Sequence, residues 1–254
     1  MKEANSGLLF HTALDLPRTP GVTALVGGGG KTSLMYCLGA EQASLGRTAI
    51  VTTTTRIGDP PPGAALLLET GNREAASDLR APGQVLCVCS RGKDGKLHYP
   101  GDAFWRRCRE TAERLFVEAD GARMLPVKVP DEGEPCLPSD TDTVVAVAGL
   151  SALGKPLAQV AFRLELLCRR FGVTPQTMLT PPLLARILTS PLGQWKGVGS
   201  AERFRIFLNQ ADDEERLRLG AETATWIQTF LPGCRVAAGC LLPCRQIKAV
   251  FPSK

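Results

Sequence analysis

The chain has 254 residues, 44% hydrophobic and 22% charged, with 30 Lys and Arg against 25 Asp and Glu for a net charge of +5. That length and ordinary hydrophobicity suit one large α/β domain and exclude a disordered, collagen-like or coiled-coil chain. The best apolar run, Val144 to Leu150, falls far short of the ~18 residues of a membrane span; no basic run or Arg-aromatic interleaving marks a nucleic-acid surface, and two histidines leave little for a histidine zinc site or a Ser-His-Asp triad.

In chain order, Leu8 to Leu16 is interrupted by His11, Thr12 and Asp15, a poor secretory core, so a cytoplasmic chain is expected. Val22 to Val26 reads as a buried strand running into Gly27 to Gly30. A helix follows from Lys31, with Leu34, Cys37, Leu38 and Leu45 on one face and Gly46 as its stop. Thr48 to Thr54 is a second strand, broken by Pro60 to Pro62, and Val85 to Cys89 and Leu115 to Val117 are two more, with a helix near Phe104 to Ala112. The proline- and charge-rich stretch 121–141 reads as a long functional loop before the strand Val144 to Ala148. The apolar stripe Leu157, Val160, Ala161, Leu164, Leu167, Cys168 and Phe171 predicts one helix over 157–171, within a helical segment at about 155–200 that includes a shorter helix, Pro181 to Thr189. Phe204 to Leu208 is a strand, Asp213 to Leu231 a helix, and short strands near Val236 and Ile247 to Phe251 close the chain. The alternation predicts a single domain over 1–254: a doubly wound, mostly parallel α/β sheet like that of P-loop NTPases.

The strand, the glycine turn and the helix beginning Lys31-Thr32-Ser33 carry the strongest chemical signal. Consecutive glycines let the backbone turn successive N–H groups inward as an anion nest, and the helix N-terminus adds positive potential there. Lys31 would then reach phosphate oxygens and Thr32 complete the shell of Mg²⁺ bound with ATP or GTP. The full signature G-x-x-x-x-G-K-[ST] asks for glycine where Leu25 stands; the chain holds the shorter G-x-x-G-K-T of Gly27, Gly30, Lys31 and Thr32. A dinucleotide turn fails in register, although Arg56 leaves an NADP reading open.

A phosphate loop needs a carboxylate to hold metal. Glu118 and Asp120 end an apolar strand with matching side-chain parity and are candidates for catalysis and Mg²⁺, the alternative being a turn cap. Thr53 and Thr55 share one face of the second strand's end and Thr52 and Thr54 the other, one pair facing metal or phosphate. Asn209-Gln210-Ala211-Asp212 matches the N-K-x-D base-reading motif with Gln210 for lysine, or caps the next helix. Arg123 and Lys128 stand in the loop after the acids, either meeting an anionic second substrate or as solvated charges. The nine cysteines lack C-x-x-C spacing and read as core thiols.

With the glycine loop, VTTTTR, VEADGARMLPVKVP and VAGLSALGKPL, the chain resembles the YqeC family from about Gly21 to past Asp212. The resemblance implies P-loop-like nucleotide binding and an accessory role to selenium-dependent molybdenum hydroxylases, with a hydroxylase or a selenium-carrying cofactor protein as partner. Three activities fit it: an NTPase, a transferase or kinase-like activator of a small precursor, and a nucleotide-binding chaperone without turnover. Glu118-Ala119-Asp120-Gly121 also resembles the E-x-x-G strand end of GTPases that assist metallocentre assembly. With Lys31 before it and Asn209 and Asp212 after it, the motifs fall in the order those GTPases use.

Overall fold

In chain order the elements are α1 (Phe10–Ala13), β1 (Gly21–Gly27), α2 (Lys31–Ser44), β2 (Ala49–Thr53), β3 (Arg56–Ile57), β4 (Ala64–Leu68), β5 (Val85–Arg91), β6 (Leu97–His98), α3 (Asp102–Thr111) and β7 (Arg114–Glu118). There follow β8 (Val127–Lys128), β9 (Thr143–Gly149), α4 (Leu157–Val160), β10 (Ala161–Phe162), α5 (Leu164–Phe171), α6 (Pro181–Thr189), β11 (Phe204–Asn209), α7 (Glu214–Phe230), β12 (Arg235–Cys240) and β13 (Gln246–Phe251). The structure, a computed structural model, describes residues 7–17, 20–69 and 79–252.

Eleven strands form one sheet in the order β13-β12-β11-β9-β1-β7-β2-β5-β6-β3, with β4 also paired to β5. All pairs from β12 across to β4 are parallel; β13, β6 and β3 are antiparallel additions at the edges. β1 is buried along its length, and its alternation divides two layers of core. Leu25 faces Leu34, Met35 and Leu38 of α2. On the opposite face, Ala24 and Val26 join a core with Leu184 and Ile187 of α6 and Ala224 and Ile227 of α7. There Val22 also packs with Phe104 and Cys108 of α3. Helices therefore cover both faces, as burying a parallel sheet requires. The fold is the expected doubly wound, mostly parallel α/β architecture.

One expectation needs correction. The helix predicted over 157–171 is split: α4 stops at Val160, Ala161 and Phe162 pair in parallel with Val127 and Lys128, and Arg163 takes φ 61° before α5 begins. The apolar stripe survives the break, with Leu157, Val160, Ala161, Leu167 and Phe171 in one core, so side-chain periodicity alone could not reveal it. The 121–141 segment is irregular apart from β8, and within it Val127 to Val129 turn inward and are buried. The short strands β3, β4 and β6 were not foreseen. β4 follows directly on Pro60 to Gly63, whose punctuation reads as a break.

Candidate functional site

β1 delivers the chain into the glycine turn, where Gly27, Gly29 and Gly30 take φ of 96°, 72° and 126°. A Cβ on Gly27 would meet the Val147 carbonyl, and one on Gly30 would meet the Asn209 side chain, so both positive φ and close approach demand glycine. Gly28 N–H donates to Val147 O at 2.9 Å and Gly29 N–H to Leu125 O at 3.0 Å. α2 then starts at Lys31 with no side-chain cap on its first turn, which contains Thr32 and the half-buried Ser33. The Gly27 amide also donates to Asp120, so the first three glycine amides are occupied by protein acceptors rather than turned inward as a nest, and the uncapped amides at the start of α2 are what an anion would meet.

Lys31 is buried rather than waving in solvent. Its Nζ donates to Gly27 O at 2.7 Å and lies 3.2 Å from Asp120 Oδ1 and 3.7 Å from Glu118 Oε1. Glu118 ends β7, which pairs with β1 in register at Leu25, and this parallel pairing sets the carboxylates beside the glycine turn. Thr32 Oγ1 donates to Glu118 Oε2 at 2.5 Å, and Gly27 N–H donates to Asp120 Oδ2 at 3.0 Å. Thus Lys31, Thr32, Glu118 and Asp120, singled out separately in the sequence, meet in space. Burial, the largest influence, raises the Glu118 carboxyl above its ordinary range despite the opposing pull of Lys31 and Thr32.

The charge network extends further than the sequence indicates. Lys128 Nζ lies 3.0 Å from Asp120 Oδ2 and donates to Glu134 Oε2 at 2.5 Å and to Gly121 O at 2.7 Å, with its side chain fully buried. Glu134 in turn accepts two bonds from Arg163, at 2.5 and 2.8 Å. Burial pushes the Glu134 carboxyl up, but the bonds from Arg163 and Lys128 outweigh it and hold it below the usual range. Cations and carboxylates alternate from Lys31 through Asp120, Lys128 and Glu134 to Arg163. Neither expectation for Lys128 holds: it meets no exterior anion and is not solvated, because the pairing of β8 with β10 carries it into the core. Arg123 is exposed, its guanidinium 5.3 Å from the centre of the Phe162 ring. Glu134 and Arg163 were missed. A β-branched spacing around Lys128 is their one local signal, and it does not say which acid and arginine come together.

Thr53 Oγ1 donates to Glu118 O at 2.9 Å and accepts from Thr55 N–H at 2.9 Å, so the pair stands against the carboxylate strand. Thr52, on the other face, donates to Val88 O at 2.6 Å as an ordinary strand threonine. Asn209 Nδ2 donates to Gly29 O at 2.7 Å and its Oδ1 accepts from Leu241 N–H at 3.2 Å, tying β11 and the turn after β12 to the glycine loop. Asp212 is exposed and accepts from Arg216 at 2.6 Å. Gln210, at φ 65°, accepts from Ser151 at 2.6 Å.

The donor set fits magnesium. Thr32, Glu118 and Asp120 offer only oxygen, the hard ligand type Mg²⁺ takes in small number alongside phosphate and water. Asp120 Oδ1 is buried and makes no hydrogen bond, although it lies within ion-pair distance of Lys31, so it retains capacity for a cation.

A family model described as YqeC protein matches residues 23–165. The uncharacterized protein YqeC of Escherichia coli strain K12 is 30% identical over 204 residues, covering 78% of each chain. Among solved structures, hydrogenase maturation factor HypB from Archaeoglobus fulgidus superposes with a TM-score of 0.40 at 12% identity, covering 93% of this chain and 88% of that one.

Proposed function

Because the chain belongs to the YqeC family, we propose that it is a nucleotide-dependent accessory protein, binding Mg²⁺ with ATP or GTP at the glycine turn and hydrolysing the nucleotide slowly. The observation that carries this reading is the meeting of Lys31, at the head of an uncapped helix, with Thr32 and the buried pair Glu118 and Asp120. Lys31 is balanced by the two carboxylates. An arriving triphosphate would draw its ammonium to phosphate oxygens and leave Thr32, Glu118 and Asp120 to hold Mg²⁺, which supplies charge neutralisation on the phosphates. Lys128 would keep Asp120 compensated after Lys31 turns away. Gly27 to Gly30 with Ser33 would line the phosphate side, Thr53 and Thr55 the metal side, and Asn209 with Asp212 would lie toward the base. The resemblance of the sequence points to maturation of a selenium- and molybdenum-dependent hydroxylase as the setting, with that enzyme or a cofactor-carrying protein as partner.

Titration calorimetry with Mg-ATP and Mg-GTP tests the reading. Wild type is expected to bind at least one, and Lys31→Ala to lose about 1.5–3 kcal/mol for each charge-assisted bond removed. A wild-type chain that binds neither nucleotide overturns it.

A further inference from the structure

Beside the carboxylate pair lies a second opening. Residues 134–138 cross the end of β7, where Cys136 N–H donates at 2.9 Å to the carbonyl of Ala119, the residue between Glu118 and Asp120. Thr54 fixes the same crossing: its hydroxyl donates to Cys136 O at 2.8 Å and its N–H to Glu118 O at 3.1 Å. The result is a cleft of about 540 Å³ walled by Thr54, Tyr99, Asp102, Trp105, Arg106 and residues 136–139, within the roughly 300–1,000 Å³ typical of small-molecule sites. It opens on the β7–β2 side of β1, whereas Asn209 and β11 lie on the other side.

The lining has a definite chemical character. Tyr99 and Trp105 rings stand 6.1 Å apart and tilted by 42°. Asp102 is engaged by the Tyr99 hydroxyl at 2.9 Å, and the nearby Arg109 by Asp140 at 2.9 Å. Arg106 is exposed and has no carboxylate partner among the described residues. The Cys136 thiol is exposed at the cleft. We infer that the cleft seats a small organic anion with a flat body, its carboxylate or phosphate on Arg106 and its ring along Tyr99. The inference rests on the nucleotide reading for making this ligand a second substrate, and on the cleft alone for its binding.

The test uses phenyl phosphate as the probe on the full chain and reads alkylation of Cys136 by iodoacetamide, with the exposed Cys244 as the internal standard. Saturating probe is expected to slow Cys136 about tenfold relative to Cys244, with protection lost in Arg106→Gln and partly restored in Arg106→Lys, as a charge-assisted contact requires. Protection must also persist in Lys31→Ala, because the glycine turn is itself an anion site. Unprotected Cys136, or protection that survives in Arg106→Gln and disappears in Lys31→Ala, overturns the cleft. Calorimetry with Mg-nucleotide on the same proteins separates the two readings. Normal nucleotide binding with Cys136 unprotected sinks the cleft alone. Protection in a chain that binds no nucleotide supports the cleft and sinks the glycine-turn reading.

Discussion

Lys128 sits at 1% exposure between Asp120 and Glu134, and a buried cation of this kind matters most when it is removed. Lys128→Met would leave Asp120 with Lys31 and Glu134 with Arg163 as their remaining cations, and denaturant unfolding is expected to show a loss of about 1–3 kcal/mol for the bonds removed. A change within a few tenths of that of a surface lysine would mean the network is hydrated. Glu134 gives a pH signature. Its carboxyl is held below its ordinary value by Arg163 and Lys128, so its contribution to stability is present above the ordinary glutamate range and lost as pH falls through the lowered value. Glu134→Gln should therefore lower stability at neutral pH and flatten the acid limb of the stability curve; an unchanged limb in the variant would contradict the assignment. At this scale the sequence was readable for Lys31, Thr32, Glu118 and Asp120, whose meeting in space follows from a strand end and a helix start. Lys128, Glu134 and Arg163 were not, because their partnership depends on β8 and β10 pairing across 34 residues that no local pattern encodes.

The glycine turn is held as an element by its neighbours more than by its own hydrogen bonds. Asn209 reaches it from β11, bonding Gly29 O and Leu241 N–H together. Asn209→Ala would leave the buried Leu241 N–H unpaired, a cost of about 1–3 kcal/mol in stability. It is also expected to weaken Mg-nucleotide binding by loosening the turn. If calorimetry shows full affinity alongside the stability loss, Asn209 braces the fold without shaping the site. The paired strands were legible from β-branched runs and the glycine turn from composition. The split of the 157–171 helix was not, since α4 and α5 keep a shared apolar face while Arg163 spends its left-handed conformation, roughly 1–2 kcal/mol of strain, to reach Glu134.

Across the whole molecule the cysteines report how completely the sheet is covered. Burial pushes the Cys37, Cys108 and Cys234 thiols up to about 12, so at mildly alkaline pH they hold almost no thiolate. Iodoacetamide is expected to modify Cys136 and Cys244 first in the native protein, the half-buried Cys168 more slowly, and the six buried cysteines only after denaturation. Rapid native labelling of Cys108 would place α3 off the sheet. No helix among the described residues is long and apolar enough to cross a membrane.

The position of β1 has a consequence for manufacture. The glycine signature leaves the ribosome well before its partners: its flanking strands β7 and β9 begin at residues 114 and 143, and its bond from Asn209 joins residues 180 apart in sequence. At synthesis rates of about 5–20 residues per second, the turn waits roughly ten to forty seconds for its last brace. Until β7 emerges, an apolar strand and four glycines are exposed with neither flanking strand to pair with, a liability for nascent-chain handling. A message truncated before β11 would yield a polypeptide that carries the signature and lacks the grip.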